Sequence, residues 1–549
     1  MSIDVGTGIA RILKAEAVDW VSTFPVCKVN NALGREGIPM VMMRDDRYAV
    51  AVADAFSRIM GGSKIGVCTF QGGVNAAGLQ VAFAGMAQAF EDGSPVLCIT
   101  DGISTGDTEN SQFDVTSALK SVSKWYGHLD KPERLPEFMR RAFTMLRSGR
   151  PGPVVIAIPD SDAQYDESVD PYIPVKGSKS IPDPSDVSGA IDLLLKAENP
   201  LIYAGEGVIY AGASAELKEF AESVNTPVVS TLKAKGAFPE DNPLFVGVRG
   251  DQVNHYLEKC DLLFAVGSSL SPGRFSHGIP NALKKTIVHC TIDELHVNKV
   301  YPTAQAVIGD AKFTLQALVA DAKGKGGRPA GNVVAEVKSV RDEAMAKYRE
   351  AMSSTEKPIN PYRVYAGLME ALDPYTSFVT HESGNTRDQL STVYDTLVPR
   401  GFLGWGNVSS LGFSFAATIA AKLAHPNKDC VAVTGEAGLG YMLGQLEVAI
   451  RQQIGITVVH VSNGGFSGYG PGFWGDGHDP FTHKVLGYDD VDMSKVIGEL
   501  GYHTERVTEP DDVVLALRRA FEANASGQPA YIEFICSQYP IYGGWVSKS

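Results

Sequence analysis

An α/β architecture of three doubly wound domains with mostly parallel sheets is the fold class this sequence predicts. Two features carry that prediction. Short apolar runs bounded by Gly, Pro or Asn alternate with longer Ala-rich amphipathic segments, and the alternation recurs in three blocks. The runs are "KIGVCTF", "SPVLCIT", "GPVVIAIP", "PLIYAG", "TPVVSTL", "LLFAVGS", "KTIVHCTI", "DCVAVTG", "ITVVHVSN" and "AYIEFIC", continuous rather than alternating, as strands covered on both faces are. Two polar, Pro- and Gly-rich stretches separate the blocks: Asp160 to Asp186, and the segment that begins at Lys323 and runs through a charged helical stretch to Pro361. The expected domains are residues 1–165, 186–325 and 358–549.

Composition sets outer limits on function. Net charge is −14 and no long Lys/Arg run occurs, which argues against nucleic acid or an anionic membrane as partner. The 57 glycines exceed the roughly 7% of an average chain, which suits tight turns and close backbone approach to ligands. Seven cysteines lie scattered without CxxC spacing, so neither a zinc site nor a disulfide framework is expected. "MSIDVGTGIARILKAEAVDW" carries charges where a signal peptide needs an apolar core, and no run of about 18 apolar residues follows. The expected location is cytoplasmic, and the expected partners are a small-molecule substrate and further copies of the chain.

The third block holds the densest chemistry. "DCVAVTG" reads as a strand and Gly435-Glu436-Ala437-Gly438 as the turn after it, with "YMLGQLEVAIRQQIG" as the following helix. Ligands of open α/β sheets sit outside the carboxyl ends of strands, and a helix N-terminus there offers free amides to a diphosphate. Asn463 falls just off the end of "ITVVHVSN", 27 residues after Glu436. If the two strands are neighbours, a carboxylate, an amide oxygen and a backbone carbonyl of "NGGF" converge. These are hard oxygen ligands suited to Mg2+ or Ca2+ carrying diphosphate oxygens. A helix-capping carboxylate beside a turn-forming Asn satisfies the same spacing.

This stretch resembles the thiamine diphosphate motif, a Gly-Asp-Gly turn followed some two dozen residues later by Asn-Asn, of the acetolactate synthase, benzaldehyde lyase and oxalyl-CoA decarboxylase-like superfamily. The resemblance implies that Glu436, Asn463 and the Gly465 carbonyl bind Mg2+, and that Gly435, Ala437 and Gly438 border the cofactor. Two departures stand out: Glu436 replaces the usual Asp, and Ser462 replaces the first Asn.

In the same superfamily an Arg-His-Glu stretch opening an Ala-rich helix supplies the carboxylic acid that engages the cofactor's pyrimidine. The matching stretch here is "RDDRYAVAVADAFSR", which places Asp46 in the glutamate position, shorter by one CH2. "CTFQGGVNAAG" stands where relatives have a Gly-Pro-Gly loop, implying that the backbone of Gly72 and Gly73 approaches the cofactor, with Gln71 and Asn75 facing the site or a simple turn. "NSQFDVTSALKSVSKW" parallels the segment that relatives place over the reacting carbon, making Ser111 or Gln112 a catalytic candidate. "TFPVCKVNNAL" is shorter than its counterpart and sets Val26, Cys27 and Lys28 at the substrate pocket.

"THESGNTRDQL" resembles the Glu-Gly-Ala-Asn-Thr stretch of oxalyl-CoA decarboxylases and implies cofactor contacts from Glu382, Ser383 and Asn385. In "GWGNVSSLGFSFAATIAAKLA", Ser410 and Leu411 match the loop whose bulky apolar residue bends the cofactor. The Gly-rich segment 464–484, with His478 and His483, reads as a covering loop, and "YPIYGGWVSKS" as a tail at the entrance. "TPVVSTLKAKGAFPEDNPLFVG" resembles the central domain of the superfamily, which holds FAD or ADP in some relatives and nothing in others; "AGEGVIYAG" does not decide between them.

The implied activity is a thiamine diphosphate- and Mg2+-dependent lyase, carboligase or decarboxylase acting beside a carbonyl, on a 2-oxo acid, an acyloin or a 2-hydroxyacyl substrate. The implied assembly is a homodimer or homotetramer with the site at the interface. Three alternatives stay open: a non-catalytic or weakly active cofactor-binding relative that lost the usual glutamate, an acetolactate synthase-like enzyme with structural FAD, and a nicotinamide oxidoreductase. The last needs a GxGxxG after a first strand, and no convincing one occurs.

Overall fold

A computed structural model describes residues 2–73, 77–103, 114–273, 275–329, 331–465, 491–539 and 541–545. The N-terminal block contains β2 (Val21–Thr23), β3 (Met40–Met42), β4 (Gly66–Phe70), β5 (Val96–Asp101), β6 (Trp125–His128) and β7 (Val154–Ile158). They form a parallel sheet of order β3-β2-β4-β5-β7-β6. A separate antiparallel ribbon pairs β1 (Ser2–Asp4) with β8 (Gln164–Asp166). The middle block contributes β9 (Pro200–Ala204), β10 (Val228–Ser230), β11 (Phe245–Gly247), β12 (Leu262–Val266), β13 (Thr286–Thr291) and β14 (Gln305–Ile308), in the order β11-β10-β9-β12-β13-β14. The last block has β15 (Ser377–His381), β16 (Phe402–Leu403), β17 (Asp429–Thr434), β18 (Thr457–Ser462), β19 (His503–Val507) and β20 (Ala530–Ile535), in the order β16-β15-β17-β18-β20-β19. The three-sheet α/β architecture is the one the sequence predicts.

All ten apolar runs become strands, and the central ones are buried along their length, as β4, β5, β7, β9 and β12 show. The strands that pattern reading missed are mainly short or peripheral. β2, β3 and β11 have three residues each, too few for a hydrophobic period to show.

The chain packs as two compact units. One comprises residues 1–179, 407–424 and 444–452, the other residues 180–406, 425–443 and 453–549. Within the first, the helix Phe413–Ala424 lies against the helix Asp46–Ile59. Arg58 from the latter is fully buried, held by Asp54 at 2.7 Å and Asp92 at 2.7 Å, with its guanidinium over the Phe413 ring. An unpaired buried cation would be prohibitively costly, and two carboxylates resolve that.

The topology of each outer sheet creates a switch point. In the N-terminal sheet strand order reverses between β2 and β4, and in the last sheet between β15 and β17. Crevices open beyond the carboxyl ends of such strands. The described candidate residues of these two sheets follow β2, β3, β4, β15, β16, β17 or β18 in the chain.

Candidate functional site

In the second unit, β17 and β18 are parallel neighbours, with Val431 opposite Thr457 and Thr434 opposite His460. Glu436 and Asn463 therefore leave the sheet at one edge. The Glu436 Oε1 accepts the backbone N–H of Asn463 at 2.6 Å and of Gly464 at 3.0 Å. Burial pushes the carboxyl up to about 7, against the pull of the backbone amides from Asn463 to Gly465. Beside it the Asn463 Oδ1 is buried without a hydrogen-bond partner among the described residues. An acceptor so placed costs about 1–3 kcal/mol unless something donates to or coordinates it.

The helix here does not begin where the sequence suggests. Glu436 is the first residue of a short helix, Glu436–Met442, capped by Gly435, and the chain continues as a 3-10 turn and a second short helix, Glu447–Arg451. The expected turn at 435–438 with a helix from Tyr441 is thus corrected: Gly435 alone makes the turn, because the helix can start at Glu436. Gly438 has no room for a side chain; a Cβ there would stand 2.1 Å from the Glu382 Cγ and 2.6 Å from the Thr434 Oγ1. Gly435 faces open space, with nothing within 4 Å of such a Cβ.

The loop after β15 lies across the switch point from Gly435. Glu382 is fully buried, and its carboxylate turns back to accept the Ser383 N–H at 2.9 Å. Gly384 has φ +91 and also faces open space, and Asn385 opens the helix Asn385–Val393. His381 is held neutral: its Nε2 accepts from the Trp405 N–H at 3.3 Å, its Nδ1 lies 3.1 Å from the Glu382 carbonyl, and burial lowers it to about 3.

In the first unit, Asp46 opens the helix Asp46–Ile59 and is 4% exposed. Asp45 is the N-cap, accepting from the Tyr48 N–H at 2.7 Å and from the Gln445 Nε2 at 3.0 Å. Asp46 is thereby left free of capping, and its Oδ1 accepts the Gln71 N–H at 3.1 Å. Neither neighbouring arginine is engaged with it in the pairs observed: Arg44 reaches Glu447, and Arg47 donates to the Leu411 carbonyl. Burial raises the Asp46 carboxyl above its usual range. Gly78 is a close neighbour of both, where a Cβ would come 2.5 Å from the Asp46 Oδ1 and 2.6 Å from the Gln71 Cβ.

Gly73, with φ +73, donates to the Asp101 carbonyl at 2.9 Å, and Gly72 is packed so tightly that a Cβ would lie 2.2 Å from the Thr100 Oγ1. Cys27 is buried and its thiol is pushed above the usual range, so it is no nucleophile here; Val26 is exposed. Ser410 lines a crevice with Arg47, Tyr48 and Gln88, and Leu411 is half-buried rather than a core leucine. The tail segment 541–545 packs on Arg249, His277 and Thr392, with Trp545 edge-on to His277 at 4.7 Å. Ser111, Gln112, Asn75, His478 and His483 lie outside the described residues.

Two carboxylates missed by sequence reading belong to these edges: Asp45, whose capping role frees Asp46, and Asp101 at the end of β5. The signal for Asp101 was present, an acid closing the run "VLCITD" at the sheet's carboxyl edge.

Three family models match in order: the thiamine pyrophosphate enzyme N-terminal TPP binding domain over residues 3–121, the central domain over 187–318, and the C-terminal TPP binding domain over 382–534. The chain belongs to the thiamine pyrophosphate enzyme family. It is similar to a probable acetolactate synthase large subunit of Methanocaldococcus jannaschii, 29% identical with 94% of this chain and 89% of that one covered. The glyoxylate carboligase of Escherichia coli O157:H7 is 28% identical, with 93% and 89% covered. The acetolactate synthase isozyme 2 large subunit of Escherichia coli K12 is 26% identical, with 93% and 92% covered. Within the family, this is an acetolactate synthase-like enzyme.

Proposed function

We propose that the protein is a thiamine diphosphate- and Mg2+-dependent carboligase or lyase that makes or breaks a carbon–carbon bond beside the carbonyl of a 2-oxo acid, acyloin or 2-hydroxyacyl substrate. The observation that carries this is the buried Asn463 Oδ1, without a partner among the described residues, next to the Glu436 carboxylate, at an edge where Gly384 and Gly435 leave space. The donor set suits a hard divalent cation: one carboxylate, one amide oxygen and the Gly465 carbonyl. Among the described residues no group of three His, Cys, Asp or Glu offers a rival metal cluster. The similarity to acetolactate synthases and a glyoxylate carboligase supports carboligation and a 2-oxo acid donor.

The residues divide the work. Glu436, Asn463 and Gly465 would hold the metal, and Gly435, Ala437, Gly438, Glu382, Ser383 and Asn385 would border the diphosphate. In the first unit, Ser410, Leu411, Gly72 and Gly73 are further cofactor contacts in this reading. Asp46, whose carboxyl burial raises above its usual range, would engage the pyrimidine nitrogen of the cofactor. Thiamine diphosphate, once bound, supplies the electron sink for the bond that is made or broken. The assignment of residues 1–165, 186–325 and 358–549 as pyrimidine-binding, central and diphosphate-binding domains is part of this proposal, as are self-assembly into dimers or tetramers and a cytoplasmic location.

One observation favours a second reading, a cofactor-binding relative with weak turnover: Asp46 is shorter than the usual glutamate and already holds the Gln71 amide. A product screen with pyruvate, glyoxylate, benzoylformate, benzoin and formyl-CoA separates the two. Carbon–carbon ligation or cleavage that is lost in Asp46→Ala, with cofactor still bound, supports the first. Bound cofactor with no product from any of them supports the second. Glu436→Ala is expected to lose the cofactor itself.

A further inference from the structure

Arg249 follows β11 in the second unit and is buried, only 1% exposed. Its Nε donates to the Gly543 carbonyl at 2.5 Å. Its Nη1 donates to the Asp388 carboxylate and lies 3.4 Å from the Ser391 Oγ. The guanidinium stands over the Trp545 ring, 4.4 Å from its centroid, and 5.3 Å from the centroid of Tyr542. One cation taken out of water thus joins the end of a middle-sheet strand, the tail segment 541–545 and the helix Asn385–Val393. Burial pushes the Asp388 carboxyl up, but the Arg249 and Arg387 guanidiniums outweigh it and hold the group below its usual range.

The tail is seated on backbone as well as on the cation. A Cβ at Gly543 would stand 2.7 Å from the Gly250 Cα, so only glycine lets the Gly543 carbonyl come down onto the guanidinium. The Gly543 N–H donates to the Thr392 Oγ1 at 3.1 Å, and the Gly250 N–H donates to the Gly544 carbonyl at 3.2 Å. Gln389 adds a bond from the same helix, its Nε2 donating to the Tyr539 carbonyl at 2.6 Å. That helix in turn fixes the loop before it. The Asp388 N–H donates to the Gly384 carbonyl at 3.2 Å, and the Thr386 Oγ1 donates to the Glu382 carbonyl at 3.0 Å. Asp388 is therefore held by Arg249 at its carboxylate while its amide holds the loop.

We propose that Arg249 is a positioning residue: with the tail segment 541–545 it forms a clasp on the helix Asn385–Val393, and so fixes the loop 382–385 for the diphosphate end of the cofactor. The proposal deepens the function assigned above and rests on that reading. Arg249 acts through Asp388 and the Gly384 carbonyl, without touching the cofactor.

The test compares the full-length parent with Arg249→Met, Arg249→Lys, Gly543→Ala and the double variant Arg249→Met with Gly543→Ala. Two quantities are read: affinity for thiamine diphosphate in Mg2+, and the rate at which the C2 hydrogen of the saturating cofactor exchanges with deuterium. Arg249→Met and Gly543→Ala should each bind the cofactor about 10-fold more weakly, as variants of residues that orient ligands do. Exchange at saturation should stay within about twofold of the parent, because only binding is lost. The double variant should lose no more than about threefold beyond the weaker single one, since two parts of one clasp do not add. Arg249→Lys keeps a charge beside Asp388 and should fall between the parent and Arg249→Met. Parental affinity in Arg249→Met overturns the proposal, and so do fully additive losses in the double variant. An equal loss of affinity and exchange also overturns it, because that marks general loosening of the fold. If Arg249→Met does not fold, Gly543→Ala decides alone, and parental affinity in it overturns the proposal. A parent that binds no thiamine diphosphate removes the function itself, a result distinct from normal binding that the variants leave unaltered.

Discussion

Asn463 buries an amide oxygen that no group among the described residues satisfies, next to a carboxylate that burial holds partly protonated. Both features are costs to the protein alone, and a divalent cation bound there would offset both. A specific expectation follows. Asn463→Ala should leave the metal-free protein as stable as the parent, or more stable by up to about 1–3 kcal/mol, since it removes an unsatisfied buried acceptor. The same variant should lose most of the thermal stabilisation that Mg2+ with thiamine diphosphate gives the parent. Thermal melts with and without the pair measure both halves. A metal-free Asn463→Ala that melts well below the parent would show that the amide has a structural partner instead. Much of this site was legible in the sequence, because a strand followed by a Gly-rich turn and a second strand ending in Asn fixes which edge the residues share. The Asp46 environment was less so. The Asp45 cap is local, but that Asp46 meets the Gln71 amide depends on a residue 25 positions away, which local pattern does not encode.

The short helix Glu436–Met442 owes its place to Gly438. Its missing side chain is what lets the helix rest on Glu382 and Thr434 as it leaves β17. Gly438→Ala should therefore destabilise the fold by about 1–3 kcal/mol through overpacking, although alanine is the better helix former by nearly 1 kcal/mol. Chemical denaturation should show a lower midpoint with an unchanged slope. A higher midpoint would mean that propensity outweighs the clash. Read from sequence alone, this helix starts five residues late, since Gly435-Glu436-Ala437-Gly438 has the composition of a turn; only the adjacent strand end shows that one glycine suffices. Strands were read best where they were long and central. β4, β5 and β18 were legible because five or six mostly apolar residues in a row, closed by turn formers, suit a strand buried on both faces and little else. β2 and β3 were missed because three residues carry no period.

Across the whole chain, several histidines are buried in the neutral form. His277 is lowered to about 4, and His381 and His460 to about 3, in each case chiefly by burial. The unfolded chain takes up these protons near pH 6.5, whereas the folded chain resists them until much lower pH. Stability from this source is therefore complete above about pH 6.5 and declines as pH falls towards about 4. The raised carboxyls of Glu436 and Asp46 act the other way, so the histidine share is read by difference: from about pH 7.5 to 4.5 the denaturation midpoint of His460→Gln should fall less steeply, or rise more steeply, than the parent's, by up to one proton. A slope identical to the parent's would contradict the assignment.

At the centre of the proposed function stand Glu436 and Asn463, holding metal and cofactor in a chain whose three sheets belong to the thiamine pyrophosphate enzymes. Calorimetric titration of the purified protein with thiamine diphosphate, in Mg2+ and then in excess chelator, tests that role most directly. The expected result is saturable binding of one cofactor per chain in Mg2+, abolished by chelator and by Glu436→Ala. Binding of equal strength in chelator, or in Glu436→Ala, would contradict it.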